Sequence, residues 1–302
     1  GEGSFFDCIL LKDVNLETLN HLERISDYYN KSDVRVIHYY DSENEDPYDR
    51  YVNGVDYFAL DHDEGQFDGY LKRYGTFAGT GITSFRMPSN LQYIAPETFR
   101  NCEQLKTFYI GKAFRGKINY GEEGDPDTLF LYYAPIRLIQ IDKENTSYQL
   151  QNEILYTRDG HILCQALKND NADSQLTIPS CVTEIADGAF YRNSEFGAIE
   201  VKGSLERIGI SAFACADVGS FYVKGGVNYL DRGSFYQSAI SEWRCHGGVK
   251  KYEKSAFQDV DATNGYAIDM NAITKLYQEL LYVNATTDLS YWVKTIWNWI
   301  IM

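Results

Sequence analysis

The sequence predicts a β-rich solenoid, α+β overall, with an N-terminal α/β cap and a C-terminal helical cap. Three observations lead to this fold class: a short unit recurs along the chain, a strand-like pattern follows each copy, and the two ends lack the unit. The nearly identical stretches VTEIADGAF (182–190) and LERIGISAF (205–213) begin 23 residues apart. One such unit cannot bury its apolar face alone, so a fixed period indicates stacked turns that share a core.

A phenylalanine at the end of each copy marks the repeat. The markers are Phe77, Phe99, Phe130, Phe190, Phe213, Phe235 and Phe257. The intervals between them are 22, 31, 60, 23, 22 and 22 residues, so two intervals contain insertions. Apolar or aromatic residues precede the marker by five positions (Ile94, Ile185, Ile208, Leu230, Tyr252) and by eight (Leu91, Val182, Leu205, Val227, Val249). We expect one continuous buried column of stacked rings, formed by Phe99, Phe190, Phe213, Phe235 and Phe257.

After each marker, inward and outward positions alternate as in a strand with one buried face. The inward pairs are Phe85 and Met87, Phe108 and Ile110, Ile139 and Ile141, Ile199 and Val201, Phe221 and Val223, and Trp243 and Cys245. The residues between them must face outward, and these are Arg86, Tyr109, Gln140, Glu200, Tyr222 and Arg244. Stacked turns would align these six as one ladder. Tyr and Arg are enriched at interface hot spots, so this ladder is the predicted ligand-binding site, with Tyr109, Tyr222 and Arg244 as its main contacts.

The unit LQYIAPETFRNCEQLKTFYI (91–110) resembles the leucine-rich repeat of the BspA-like (Treponema-type) class, whose consensus is L-x-x-I-x-x-x-A-F-x-x-C-x-x-L-x-x-I-x-I. Cys102 stands at the Cys position, Asn193 replaces it in a later copy, and Cys215 lies one residue early. The resemblance covers about residues 70 to 262. It implies a leucine-rich-repeat solenoid and a scaffold that is common in surface proteins and adhesins, and it implies no particular ligand.

Three regions are predicted: a strand-helix-strand cap over 1–70, repeats over 71–262 and a helical cap over 263–302. Insertions are expected near 111–127, which includes the acidic stretch GKINYGEEGDPD (116–127), and near 142–175. The second insertion resembles the strand-and-turn insertion that BspA-like repeats carry after an N-x-x-Y stretch, here Asn145 to Tyr148. It contains two strand-like runs joined by Asp159–Gly160, which predicts a hairpin.

The ends are predicted from their own patterns. A helix is expected from about Leu16 to Tyr29, followed by the strand VRVIHYY (34–40), and another helix after Asp269 as N-cap. The tail YWVKTIWNWII (291–301) is amphipathic if helical and is a candidate surface for homo-oligomer contacts. No apolar run reaches the ~18 residues that a membrane-spanning helix needs.

Composition limits the class of partner. With 28 Lys and Arg against 43 Asp and Glu, the net charge is −15, which disfavours nucleic acid and anionic membrane surfaces. We expect a non-enzymatic cell-surface binding protein, adhesin-like, that recognises a protein or glycan. The alternatives are a structural or assembly role through the terminal caps, where Trp292, Trp297 and Trp299 would be exposed, and a hydrolase or metal-dependent activity in the N-terminal region.

No motif indicates a catalytic residue, a metal ligand or a cofactor. The five His are scattered, and the neighbours Cys245 and His246 would point to opposite faces of a strand. The six Cys form no CxxC pair, so they are either buried free thiols or, in a secreted protein, disulfides. The resemblance implies a secreted or surface protein, including a lipoprotein. The chain starts at Gly1 rather than Met, so we expect a processed or trimmed N-terminus, and any signal segment would lie upstream.

The acidic stretch DHDEGQFD (61–68) spaces its carboxylates like a cation-binding loop, but position twelve from Asp61 is Lys72 instead of Glu. We therefore expect millimolar calcium to leave the melting temperature nearly unchanged. A specific ion at ~100 times its dissociation constant would add ~2.7 kcal/mol, which a thermal melt detects easily. A saturable calcium-dependent rise in melting temperature would contradict this prediction, and magnesium at the same ionic strength is the control.

Overall fold

The chain winds into a β-solenoid of about seven turns with almost no helix, as seen in a computed structural model. The structure describes residues 73–121, 128–167, 174–193, 196–253 and 255–257, together with residues 5, 8–16, 19, 21–25, 28–29, 51–52 and 55–56. Its strands, in chain order, are β1 (Arg24–Ile25), β2 (Tyr28–Tyr29), β3 (Tyr51–Val52), β4 (Val55–Asp56), β5 (Arg73–Tyr74), β6 (Ser84–Arg86), β7 (Tyr93–Ile94), β8 (Thr107–Ile110), β9 (Lys117–Ile118), β10 (Thr128–Leu129), β11 (Leu138–Ile141), β12 (Tyr148–Gln151), β13 (Ile154–Thr157), β14 (Ile162–Ala166), β15 (Ser174–Ile178), β16 (Glu184–Ile185), β17 (Phe196–Val201), β18 (Leu205–Ile208), β19 (Asp217–Val223), β20 (Val227–Leu230), β21 (Ala239–Cys245) and β22 (Val249–Tyr252).

Three sheets organise the turns. The N-terminal sheet is parallel and has the order β11-β8-β6. The front sheet is also parallel, with the order β15-β17-β19-β21. The back sheet has the order β12-β13-β14-β16-β18-β20-β22, with an antiparallel start and parallel pairs from β14 onward. From β14 onward each turn therefore contributes one strand to the back sheet and one to the front sheet.

The predicted inward positions form the core. Both members of every inward pair are buried except Ile141, which is half-buried. The apolar residues five and eight positions before the marker are buried as well, apart from the half-buried Tyr252. The alternation in the sequence therefore predicts correctly which face of each strand is buried.

The marker rings stack, but in two columns rather than one. Phe190, Phe213, Phe235 and Phe257 stack face to face, with centroids 4.6, 5.0 and 5.1 Å apart and planes within 8°. A separate column joins Phe5, Phe77 and Phe99, at 5.4 and 5.9 Å. The expectation of one continuous column is therefore wrong, because the insertions between Phe99 and Phe190 separate the two stacks. Phe257 is half-buried, although it was expected to be buried.

The marker between the 31-residue and 60-residue intervals is Leu131 rather than Phe130. Phe130 is half-buried, whereas Leu131 is buried completely and begins the only helix in the described part of the chain, a 3-10 turn over Leu131–Tyr133. The amide of Ala134 donates to the carbonyl of Leu131, as the amide of Cys102 does to that of Phe99. Leu131 therefore occupies the position that the sequence assigned to Phe130.

Sharp corners follow the phenylalanine marker in the regular turns. The residue two positions after it has a left-handed backbone, as at Asn101 (φ 57°), Arg192 (φ 52°) and Cys215 (φ 55°). Next comes a buried residue, which is Ala216 after Cys215. Cys215 thus lies at the corner because Ala216 holds the consensus Cys position.

Backbone hydrogen bonds connect these corners from turn to turn. The amides of Phe190 and Phe213 donate to the carbonyls of Ala212 and Ser234, both at 2.7 Å. In these C-terminal turns the residue before the marker is small and buried, as in Ala189, Ala212 and Ser234. Small side chains are required there because the next turn approaches so closely.

The second insertion forms a buried partition instead of a surface loop. Strands β13 and β14 form the predicted hairpin around Asp159–Gly160, and every residue of β13 is buried. Ile154 and Leu163 belong to the core of the C-terminal turns, whereas Leu155 and Cys164 belong to the core of the N-terminal turns. Both faces of this hairpin are therefore covered, which explains its continuous apolar runs.

The N-x-x-Y stretch holds the start of this insertion. The Asn145 side chain donates to the carbonyls of Gly111 (2.7 Å) and Phe114 (3.2 Å) and accepts from the amide of Tyr148 (3.0 Å). The Tyr148 hydroxyl, buried with its ring, donates to the carbonyl of Gly116 at 2.5 Å. These hydrogen bonds fix the start of the insertion against the preceding turn.

A single buried asparagine joins the partition to the turns on both sides. The Asn119 side chain donates to the carbonyl of Cys164 (2.9 Å) and to Oε1 of Gln165 (2.7 Å), and it accepts from the amide of Leu131 (2.7 Å). Its own carbonyl accepts from the amide of Asp187 at 2.7 Å. All of its hydrogen-bonding atoms thus have partners, as burial requires.

The terminal caps are only partly described. The predicted helix from Leu16 to Tyr29 is wrong at its end, because Arg24–Ile25 and Tyr28–Tyr29 are strands that pair with β7 and β5. The VRVIHYY strand, the acidic stretch 61–68 and the C-terminal cap 263–302 lie outside the described residues. The α part of the expected α+β class is not supported by the part of the chain that the structure describes.

The six cysteines, all of which lie among the described residues, form no disulfide. Cys102, Cys164 and Cys245 are buried and pack as small apolar residues, while Cys8 and Cys181 are exposed. Burial raises the pKa of the Cys102 and Cys164 thiols. Within the described residues, no helix is long and apolar enough to cross a membrane.

Replacing Phe213 by Ala should lower the free energy of unfolding by ~3–5 kcal/mol, as for other buried Phe truncations. The ring is fully buried between Phe190 and Phe235 and also meets Phe221 edge-on at 5.0 Å. Urea titration followed by circular dichroism measures the loss. The control is Phe130→Ala, which removes a half-buried ring and should cost clearly less; equal losses would contradict the assignment of the two positions.

Candidate binding surface

The six predicted outward residues form two ladders. In the N-terminal sheet, Arg86 lies opposite Tyr109, and Tyr109 lies opposite Gln140. In the front sheet the order is Glu200, Tyr222 and Arg244. The alignment is therefore confirmed within each sheet, but the expectation of one ladder is wrong, because the partition hairpin separates β11 from β15 along the chain.

The first ladder, Arg86–Tyr109–Gln140, is engaged with its own neighbours. The Arg86 guanidinium lies 4.0 Å from the centroid of the Tyr109 ring, and the Tyr109 hydroxyl donates to Asp142 at 2.8 Å. Burial and the Asp142 carboxylate raise the pKa of Tyr109, while the backbone N–H of Glu144 and the Tyr109 hydroxyl lower the pKa of Asp142. One face of the Tyr109 ring is therefore already covered.

The second ladder, Glu200–Tyr222–Arg244, borders a depression of about 360 Å³ on the front sheet. This front depression is lined by Ser220, Phe221, Tyr222, Glu242, Arg244 and His246. Phe221 contributes its backbone, since its side chain is buried in the core. The other five residues occupy the outward positions of β19 and β21 or directly follow β21.

Small residues lie next to Ser220 on β17 and β19. Ala198 lies opposite Ser220, and the glycines that precede them, Gly197 and Gly219, have no pairing partner in the register. A Cβ on Gly219 would stand 2.1 Å from the carbonyl oxygen of Gly197. Only glycine fits at this close approach of the two strands.

Charges on the front sheet largely compensate each other. Glu242 contacts Arg244, and Glu200 contacts both Lys202 and, at 3.0 Å, Lys224. Hydrogen bonds from Lys202 and Lys224 lower the pKa of Glu200, which in turn raises the pKa of Lys224. The surface thus offers both hydrogen-bond donors and acceptors with little net charge.

Sequence reasoning found Tyr222 and Arg244 but missed Ser220, Glu242 and His246. These three lie two residues from the predicted positions, on the same strands or directly after β21, so the period of two places them on the same face. Extending the alternation by one step in each direction would have found them. The close contact between Gly219 and Gly197 is a further feature that no alternation reveals.

The outward side chains of the back sheet form a closed polar network. The Arg207 guanidinium donates to Glu184 (2.9 Å), to Asp187 and to Asp231 (2.9 Å). On the next turns, the Tyr229 hydroxyl donates to Glu253 at 2.6 Å, and the Lys251 ammonium lies 4.9 Å from the Tyr229 ring centroid. These groups satisfy one another, which makes the back sheet a poorer candidate for ligand binding.

No metal site accompanies these surfaces in the described parts of the chain, where no group of three or more His, Cys, Asp or Glu is placed to hold an ion. The adjacent Cys245 and His246 diverge as predicted, since Cys245 is buried and His246 is exposed.

Stacked turns with a strand on each side and a marker ring inside define a leucine-rich-repeat protein. The family described as BspA type leucine rich repeat region matches residues 73–120 and 160–264 in six copies, and the chain belongs to this family. The predicted resemblance is therefore confirmed.

Two solved structures are similar at low identity. The pneumococcal vaccine antigen PcpA aligns with a TM-score of 0.44 and 15% identity, over 67% of this chain and 66% of that one, just under two thirds of its length. A leucine-rich repeat protein from Eubacterium ventriosum aligns with a TM-score of 0.31 and 16% identity, over 62% of this chain and 67% of that one. No curated protein matches the sequence.

The back-sheet network makes stability depend on pH through Asp187. Burial, together with the neighbouring Asp231 carboxylate, raises the pKa of Asp187 to about 6 despite its contact with Arg207. The folded protein therefore holds a proton that the unfolded chain releases between pH ~4 and ~6. This group stabilises the fold below that window, and its contribution is lost as pH rises through about 6.

We expect Asp187→Asn to remove this effect, since Asn can still accept from the Ile210 amide but does not titrate. The difference in unfolding free energy between wild type and variant should change by ~3 kcal/mol from pH 4 to pH 7. Urea titrations at several pH values measure it. The control is Asp159→Asn: hydrogen bonds from Thr157 and His161 lower the pKa of Asp159, so its contribution changes in the opposite direction. The same slope in both variants would contradict the assignment.

Proposed function

We propose that this chain is a non-enzymatic, adhesin-like binding protein that recognises a protein or glycan through its front sheet. The observation that carries the proposal is the front depression, which Tyr222 and Arg244 line together with the small residue Ser220. Both residue types are enriched among binding hot spots. The net charge of −15 argues against nucleic acid as the ligand.

Of the six predicted contacts, Glu200, Tyr222 and Arg244 are the primary ones. Glu200 orients the two lysines beside the depression. Arg86, Tyr109 and Gln140 stay predicted as a secondary surface, because Arg86 and Asp142 already engage Tyr109.

A location outside the cell, secreted or on the cell surface, fits this function. The proposal rests on the family, whose repeats are a scaffold in many surface proteins and adhesins. A repeated rigid sheet also suits recognition, because it holds side chains in fixed positions before the ligand arrives.

The double variant Tyr222→Ala/Arg244→Ala should reduce binding of the labelled protein to intact mammalian cells at least tenfold. Flow cytometry over a range of protein concentrations gives the apparent affinity. The matched control is Tyr229→Ala/Lys251→Ala, which removes a tyrosine and a cation from the back sheet and should leave binding unchanged. Both variants need wild-type circular dichroism. Equal losses, or full binding by the front-sheet variant, would contradict the proposed surface.

A further inference from the structure

The chemistry of the front depression selects one ligand class. We propose that it binds a ring of an uncharged glycan, with the Tyr222 ring as its stacking face. This inference rests on the proposed function and narrows it from a protein or glycan to an uncharged sugar.

The size of the depression fits a small polar group. Its volume of about 360 Å³ lies at the lower end of the range for small-molecule sites, ~300–1,000 Å³. Ser220 has a short side chain and the Phe221 ring is buried in the core, so neither lining residue projects a large side chain into the depression. The aromatic wall is Tyr222, whose apolar face can meet the C–H face of a sugar while its hydroxyl stays near water.

The polar side chains that line the depression can form hydrogen bonds with sugar hydroxyl groups. A sugar hydroxyl donates one hydrogen bond and accepts others, so it needs donors and acceptors side by side. Arg244 supplies donors only, the Glu242 carboxylate supplies acceptors, and Ser220 and His246 can supply either. Glu242 and Arg244 already contact each other, so a pair of neighbouring hydroxyls would meet both kinds of group at once.

Charge argues against an ionic ligand. Three cations, Lys202, Lys224 and Arg244, face two carboxylates, Glu200 and Glu242, and each of these cations contacts a carboxylate. An anionic sugar would compete with Glu242 for Arg244 and would approach a chain of net charge −15. An uncharged sugar neither competes with Glu242 for Arg244 nor is repelled by the negative net charge.

The scarcity of apolar surface argues against a protein partner. Protein interfaces gain affinity from a fully desolvated, largely apolar centre. In the front depression, Tyr222 is the one lining side chain with an exposed apolar face, because the Phe221 ring is buried in the core. An apolar side chain from a partner would find polar groups on the remaining sides.

The test uses the full chain and an array of immobilised neutral, sialylated and uronic-acid oligosaccharides. We expect binding to neutral oligosaccharides that changes less than twofold between low and high salt, since screening acts on charges. Tyr222→Phe keeps the ring and should retain binding, whereas Tyr222→Ala should weaken it at least tenfold. Ser220→Phe, which fills the depression, should abolish it, and the back-sheet control Tyr229→Ala should have no effect.

Other outcomes separate this inference from the proposed function. Salt-sensitive binding to acidic sugars alone would overturn the inference. So would cell binding that survives glycosidase treatment of the cells but is lost in Tyr222→Ala, which would leave the proposed function standing with a protein ligand. Absence of binding to both oligosaccharides and cells would overturn both. Glycan binding that Tyr222→Ala and Ser220→Phe do not change would place the site on another surface.

Discussion

The distance between stacked rings has to equal the distance between hydrogen-bonded strands, and the repeat depends on this match. The centroids of Phe190, Phe213, Phe235 and Phe257 are 4.6–5.1 Å apart, close to the ~4.8 Å between neighbouring strands. Rings, strands and corners can therefore advance together along the solenoid axis. In the turns stacked through these four rings, a residue larger than Ala or Ser before the marker would push the turns apart, and for this reason that position is small there.

The sequence contains enough information to orient each strand, but too little to say which turns are neighbours. Alternation correctly identifies the buried residues of pairs such as Phe221 and Val223, because orientation is a local property. The stack beyond Phe99 could not be predicted, because an interval of 31 or 60 residues does not show which residues leave the solenoid. The same irregular intervals explain why the marker position was assigned to Phe130, although Leu131 occupies it. The expected helix near Tyr29 failed because pairing with a distant strand overrides a local helical pattern.

At the candidate site, too, the sequence predicts which side chains face outward but not which of them lie next to each other. Tyr222 and Arg244 follow from the period of two, whereas the depression beside them depends on which side chains of β19 and β21 lie next to each other. The three outward surfaces carry similar residue types but differ in how far those residues satisfy one another. Tyr109 is covered by Arg86, and Tyr229 is bonded to Glu253. The front sheet differs because a depression lies among its polar side chains. A ligand group can enter this space and contact several of them at once.

The partition formed by β13 and β14 has a consequence for how the protein responds to force and proteolysis. In repeat proteins, stability is approximately a sum of terms from neighbouring units, and units separated by a weak boundary open independently. Here the boundary is crossed by polar contacts of Asn119 and by a shared hairpin, without a continuing stack of rings. The two sets of turns therefore have separate apolar cores that meet only at the hairpin, so damage confined to one core leaves the contacts within the other core intact.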